Sequence, residues 1–390
     1  MARSPRPVRR RSRSTADLEL FAPTSSGLEP ALARELRGLG ARDVRPAERG
    51  VAFRGDARLV YRANLWLRTA PRVLWRIAEF PATNRRELYE GARAVGWDEH
   101  LTLERTLAVD AVGQAPGLDH TQFVARVVKD AVVDWFRDRT GRRPSVDPAQ
   151  PDLALNARLA GGRCALSIDT SGERMHRRGY RPAFGAAAPL KETIAAGILL
   201  LSGYAGERPL VDPFCGSGTI LVEAALIATR TAPGLLGRRF GLSRHPAFDR
   251  RLFREVQEEA RAEIRELDGC PIAGADLDED ALRAAAAAAR GAGVDDLIRL
   301  KRADARELTV DAGSAVVTNP PYGERLGEVA ALAELYERFG VALKRGCRGA
   351  SAHVLTGSKY LAGRLGLRAE RRDPLRNGRI DCRLMHYELY

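Results

Sequence analysis

Two short stretches carry residue types able to do chemistry together. The first, DPFCGSG from Asp212 to Gly218, follows the apolar pair Leu210-Val211 and precedes an apolar-periodic run that starts at Thr219. A strand, a glycine turn and a helix in that order open a nucleotide-type site. Glycine lets the backbone approach a ligand closely, and free N–H groups at a helix start favour an anionic group. The second stretch is Asn319-Pro320-Pro321-Tyr322, delivered by the β-branched run Val316-Val317-Thr318. A residue before proline is pushed out of the α region, so Asn319 and Pro320 are both held extended. That corner aims an amide oxygen, a backbone carbonyl and an aromatic ring at one place. A Pro-Pro turn with Tyr322 as rim packing is the plainer alternative. The pairing with the glycine turn, in the expected order, favours chemistry.

The turn reads G-x-G rather than G-x-G-x-x-G, and it has no P-loop lysine. S-adenosylmethionine (SAM) is the cofactor that fits such a loop best. Its expected contacts are Asp212, Pro213, Phe214, Gly216, Ser217 and Gly218, joined by Asn319. Asp276 ends a second strand candidate, Pro271 to Ala275, where an acid can accept hydrogen bonds from ribose hydroxyls. It lies 64 residues after Asp212, far beyond the usual spacing of about 20, so residues 229–269 must be looped out. Asp304 follows a third strand candidate and is placed to receive an adenine amino group. Three acids after three successive strands are far more specific than any one of them.

The elements that must position these groups form an α/β sheet of the doubly wound kind from about Pro189 to Tyr390, closed by an antiparallel hairpin over Ile380 to Tyr390. Ahead of it, Asp17 to Phe21, a helix from Gly27 to Gly38 and short strands around Val44, Val51 and Phe53 make a β–α–β–β opening of ferredoxin-like type. Residues 101–172 read as a second α+β unit. Within it, a helix starts at a candidate N-cap, Thr121, with Phe123, Val124, Val127, Val128, Ala131, Val132, Trp135 and Phe136 at helical spacing. Arg126, Lys129, Arg142 and Arg143 fall on its polar side or just beyond, as a solvated face or a phosphate-reading one. Trp66 and Trp75 stand among arginines and read as core packing before RNA stacking. SGERMHRRGYRP (171–182), with Arg177 and Arg178, joins this half to the next.

The 390 residues carry a net charge of +13, and six arginines between Arg3 and Arg13 account for nearly half of it. The remaining chain is still basic, which suits a polyanionic partner. Five cysteines and six histidines are scattered without ligand spacings, so neither a metal nor a disulfide framework is expected, and a reducing cytoplasm is the simplest setting. No stretch approaches eighteen apolar residues. The arginine- and serine-rich start lacks the apolar core of a secretory signal and reads as a basic arm.

With these motifs in hand, the chain resembles the THUMP-containing RNA guanine-N2 methyltransferases, and among them the bacterial 23S rRNA enzymes in their short form. The carriers are the 121–147 helix ending GRRPSVD, the stretch HRRGYRP, DPFCGSG, GADLDEDAL and TNPPYGERLG. The resemblance implies a basic arm (1–17), a ferredoxin-like part (18–61), a THUMP RNA-binding domain (62–172), a linker (173–188) and a class I SAM methyltransferase domain (189–390). It also implies a monomer acting on RNA, with Asn319, Pro320 and Tyr322 catalytic. Arg126, Lys129, Arg142, Arg143, Arg177 and Arg178 would then touch RNA. Transfer-RNA guanine-N2 enzymes share this architecture. A non-catalytic RNA-binding assembly factor is the alternative of a different class, and the Asn-Pro-Pro-Tyr corner also resembles amine methyltransferases of DNA adenine or protein glutamine.

Overall fold

The computed structural model describes residues 17–182, 190–237, 240–267, 269, 271–323 and 330–390. The arm, Pro189 and the Glu324-Arg325 end of the corner motif lie outside them. The opening follows the β–α–β–β order read from the sequence: Leu18–Pro23 (β1), Glu29–Gly38 (α1), Arg42–Ala47 (β2) and Gly50–Gly55 (β3). Leu32 and Leu36 of α1 bury against Leu20, Val51 and Phe53 of the strands. Ala57–Trp66 (α2), Leu74–Pro81 (β4), Arg85–Arg93 (α3), Thr106–Gly113 (β5), Thr121–Thr140 (α4), Ser145–Val146 (β6), Leu153–Ala160 (β7) and Arg163–Asp169 (β8) complete the front half. All eight strands join one sheet in the order β2-β3-β1-β4-β8-β7-β5-β6. The expected boundary after residue 61 falls inside α2, at a tyrosine buried in the common core. The structure therefore offers no break there.

Helix α4 starts at the residue expected to cap it, so its cap falls one residue earlier. Thr121 is already helical, and His120 in the cap position makes no side-chain cap bond. The helix stops at Gly141, whose φ of +72° only glycine adopts at no cost. Phe123, expected in the apolar stripe, is exposed, while Val124, Val127, Val128 and Ala131 are buried. Trp66 and Trp75 pack partly buried against the same core.

The second sheet holds Leu210–Asp212 (β9), Ile272–Asp276 (β10), Ile298–Arg302 (β11), Ala315–Thr318 (β12), Ser351–Thr356 (β13), Arg371–Asn377 (β14) and Ile380–Glu388 (β15), in the order β11-β10-β9-β12-β13-β15-β14. The first five run parallel, and β15 is antiparallel to both β13 and β14, as the alternation over residues 380–390 suggests. Its helices are Glu192–Leu201 (α5), Thr219–Ala228 (α6), Arg250–Ala262 (α7), Glu279–Ala292 (α8), Ala333–Gly346 (α9) and Lys359–Arg364 (α10). No described helix is long and apolar enough to cross a membrane.

The insertion is looped out of this sheet and returns to the front half. Phe240, Phe248 and Phe253 surround the Tyr61 ring at centroid distances of 5.6, 5.7 and 5.4 Å. The Tyr61 hydroxyl accepts from the Asp249 amide at 2.9 Å, and Arg58 of α2 pairs with Glu255 and Glu259 of α7.

The linker is a strap locked into the seam between the halves. Met175, Arg178 and Tyr180 are buried. Arg178 Nε and Nη2 donate to Glu223 of α6 at 3.1 and 3.3 Å, and its Nη1 and Nη2 donate to the carbonyls of Met175 and Arg68 at 2.8 Å. The Tyr180 hydroxyl adds a bond to Glu223 at 3.2 Å. Arg68, from the front half, donates to the carbonyls of Leu226 and Thr231, while Glu35 of α1 accepts from its backbone amide. This corrects the expectation for Arg178. Its guanidinium is spent on Glu223 and backbone oxygens, at 3 % exposure, and cannot reach RNA. Arg177 beside it is exposed.

Removing one member of a buried ion pair strands the other, at a typical cost of about 3–5 kcal/mol. Glu223→Ala should lower unfolding free energy by roughly that amount in urea denaturation, whereas Arg177→Ala should stay within about 0.5 kcal/mol.

Candidate active site

Because β9, β10, β11 and β12 are parallel, their carboxyl ends share one edge of the sheet, where open α/β folds bind ligands. A cleft of about 600 Å³ lies there, lined among others by Pro213, Phe214, Asp276, Asp304, Asn319, Pro320 and Tyr322. A larger cavity of about 840 Å³ opens at the seam between α1, α5 and the β14–β15 hairpin. It sits away from both motifs, so size does not select the site; convergence of the two motifs does.

The glycine turn is shaped as its sequence predicts. Gly216 and Gly218 have φ of +50° and +75°. A Cβ on Gly218 would stand 2.8 Å from the Ala285 methyl of α8, whereas one on Gly216 would meet nothing within 4 Å. One glycine is therefore required by packing, and the other leaves its outer side open to a ligand. The Gly216 amide donates to Asp276 Oδ2 at 2.9 Å, and Asp276 Oδ1 accepts from the Asp278 amide at 3.0 Å. The second acid thus ties the turn to β10 while still lining the cleft. Ser217 is half-buried, and Gly216, Ser217 and Gly218 stand behind Pro213 and Phe214, the two residues of the turn motif that line the cleft.

Asp212 lies deeper than the residues that line the cleft, with one carboxylate oxygen engaged by the protein itself. Its carboxylate is buried, with Oδ1 accepting from the Thr318 hydroxyl at 2.6 Å and from the Phe214 amide at 3.2 Å. It clamps β9 to β12 beneath the site, directly behind Asn319. Burial pushes its pKa up to about 7, against the opposing hydrogen bonds from Thr318 and Phe214. Asp304 lines the cleft, but both its oxygens are held by Arg306 and one by the Arg306 amide. The hydrogen bond from Arg306 holds its carboxyl below the usual range, so an adenine amino group would share this acceptor with a guanidinium.

Asn319 Oδ1 is buried and has no hydrogen-bond partner among the described residues. A buried amide oxygen left empty costs free energy unless a ligand completes it. Tyr322 is the opposite case. Its hydroxyl accepts from Asn377 Nδ2 of β14 at 3.1 Å, and its ring lies against Gly357, where a Cβ would come within 3.1 Å. The hydroxyl is anchored, and the ring face is what the cleft receives. Phe214 meets Phe339 edge-to-face at 5.1 Å and braces the opposite wall. Sequence reasoning missed Thr318, the donor to Asp212, and Leu277, which stands 54 % exposed at the rim next to Asp276. An apolar residue directly after a strand-ending acid was the available signal for Leu277.

The residues expected to touch RNA do not gather at this cleft. Arg126, Arg142 and Arg143 are exposed, but Arg126 lies about 20 Å of helix from the end of α4 that carries the other two. Lys129 is half-buried and paired with Asp130. Arg177 lines a separate pocket of about 440 Å³ with Arg174 and Arg244. Among the described residues no three potential ligands gather to hold a metal ion.

The donor set fits SAM in its parts: an open glycine turn, a strand-ending acid that lines the cleft, an apolar rim and an empty amide oxygen. Comparison with known proteins agrees. Residues 178–386 match the family described as RMKL-like, methyltransferase domain; residues 19–74 match the RlmL ferredoxin-like domain and residues 82–169 the THUMP domain. A Synechocystis sp. protein provisionally named an RNA methyltransferase is 42% identical over 371 residues, covering 95% of this chain and 96% of its own. The ribosomal RNA large subunit methyltransferase K/L of Syntrophotalea carbinolica is 44% identical over 388 residues, which cover 96% of this chain but 54% of that protein. The chain thus spans about half the length of that relative. A crystal structure of a provisionally described methyltransferase complexed with SAH superposes with a TM-score of 0.87 at 30% identity, over 96% of this chain and 98% of that one.

The Asp212 carboxyl generates a pH test. Its folded-state pKa, raised to about 7, exceeds the unfolded value of about 3.9, so the folded state binds the extra proton between them. Stability from this group is present below the lower value and is lost as pH rises to about 7. Relative to wild type, Asp212→Asn should gain stability across that window by up to about 1.4 kcal/mol per pH unit. Denaturation of both proteins from pH 5 to 8 checks it; parallel curves would refute the assignment.

Proposed function

Since the chain belongs to the RMKL-like methyltransferases and carries RlmL ferredoxin-like and THUMP domains ahead of that domain, we propose that it transfers a methyl group from SAM to the exocyclic N2 amine of a guanine in 23S ribosomal RNA. The observation that carries this reading is the empty, buried Asn319 oxygen beside two prolines and an anchored tyrosine ring. An exocyclic amine of a nucleobase has two N–H bonds to give and a planar face to stack, and this corner offers acceptors and a ring. The names of the K/L relatives point to ribosomal RNA, and the basic chain suits a polyanion.

SAM, when bound, supplies an electrophilic methyl carbon on a sulfonium that already leaves well. The residues proposed to hold it are Pro213, Phe214, Gly216, Ser217, Gly218, Asp276 and Asp304, with Asp212 acting from behind through Thr318. The protein's own task is alignment. A guanine amine is a weak nucleophile because its lone pair is delocalised into the ring. Asn319 Oδ1 and the Pro320 carbonyl accept its two N–H bonds, which turns the lone pair toward the methyl carbon. The Tyr322 ring holds the base once it has left its helix. A C–N bond forms as the C–S bond breaks, and the surplus proton passes to water afterwards. Fixing two reactants in register supplies most of the acceleration in such a design, so no strong base is required.

Labelled SAM should transfer its methyl to large-subunit RNA from a strain lacking this gene, with the label recovered as N2-methylguanosine after nucleoside digestion. Label in transfer RNA would move the target and keep the mechanism, whereas label only in protein or DNA would overturn the reading. Asn319→Ala should lower kcat by roughly 100-fold or more while SAM affinity by calorimetry changes little; equal loss of both would assign Asn319 to the cofactor or the fold.

A further inference from the structure

We propose that a basic groove between α10 and the β14–β15 hairpin carries the ribose-phosphate backbone of the RNA next to the target nucleotide. This rests on the reading of the substrate as RNA and extends it to a surface of the catalytic domain. The groove, about 570 Å³, is lined by Lys359, Arg372, Arg376, Asp381, Arg383 and Met385 among others. The antiparallel register sets Pro374 opposite Arg383 and Arg376 opposite Asp381. Alternation along each strand then puts Arg372, Arg376 and Arg383 on one face, with Lys359 across from them. All four cations are exposed. Arg376 has one acid nearby, Asp381 at 3.8 Å; among the described residues Lys359, Arg372 and Arg383 pair with no carboxylate.

Two contacts join the groove to the cleft. Gly357 lines the groove and lies against the Tyr322 ring, and Asn377, at the end of β14, donates to the Tyr322 hydroxyl. A base stacked on Tyr322 therefore leaves its neighbouring phosphates at the mouth of the groove. The cations are strung along two strands and a helix start rather than converging on a point, which suits a polyanionic strand better than a single small anion. Its net charge makes the groove attractive to phosphate without reading sequence.

The test uses the full chain with large-subunit RNA as the probe. The triple variant Lys359→Ala, Arg372→Ala, Arg383→Ala should raise KM for RNA on the order of tenfold and reduce the salt dependence of RNA binding, as the slope of log K against log salt, by about 2. SAM affinity and kcat at saturating RNA should hold, which excludes misfolding. Arg372→Lys with Arg383→Lys should retain most RNA affinity, because a point charge suffices for phosphate. The matched control removes Lys344, Arg345 and Arg348, exposed at the amino-terminal end of β13 on the opposite edge of the sheet. If the groove triple keeps the wild-type KM and slope, or if both triples lose equally, the groove is overturned while the RNA reading stands. If the wild-type protein methylates no RNA at all, the functional reading fails and the groove fails with it.

Discussion

Arg178 and Glu223 lie buried together at the seam, where they tie the strap and the front half to helix α6. Desolvating two charges costs several kcal/mol each, and an apolar pair of similar volume is often as stable. What the charged pair adds is direction. Arg178 also bonds the carbonyls of Met175 and Arg68, so one side chain joins the strap, the front half and helix α6 in a single geometry. Any sliding of the front half would break those bonds in a dry environment, where each unmade bond costs most. Helix α6 begins at the glycine turn, so the clamp that fixes the halves also fixes the helix that the turn opens. The Tyr61 aromatic cluster and the Arg58–Glu255–Glu259 pairs make the same connection at the periphery, but exposed pairs of this kind contribute little. The deep pair and the aromatic cluster carry the load.

Much of this was legible in the sequence, and the part that was not has a physical reason. The order of strands and helices followed from periodicity and from glycine and proline punctuation. The cleft followed from two motifs that the parallel sheet had to bring to one edge. Arg178 was misread because in HRRGYRP nothing local distinguishes one arginine from its neighbour; Arg177 is exposed and Arg178 buried only because α6 presents Glu223 to one of them. The partner of Asp212 was hidden for a related reason. Its hydrogen bond comes from Thr318 on the neighbouring strand, more than a hundred residues later. That the front strands join one sheet across residue 61 was hidden likewise, since strand pairing is a long-range property. Local chemistry could be read; partners distant in sequence could not.

The cleft shows how those distant partners divide the work. Asp212 Oδ1, both Asp276 oxygens and the Tyr322 hydroxyl are engaged by the protein itself: by Thr318, by the Gly216 and Asp278 amides, and by Asn377 respectively. These bonds fix the turn, the corner and the ring. Asn319 Oδ1 alone of the four is left empty in the described structure. An oxygen already occupied would have to exchange partners before it could orient a substrate amine, and its net contribution would shrink accordingly. An empty, buried oxygen on a proline-stiffened corner has no partner to give up and little room to turn. The side chain least satisfied by the fold is therefore the one best prepared to act on a ligand, and the cost of leaving it so is distributed over the bonds that hold its neighbours still.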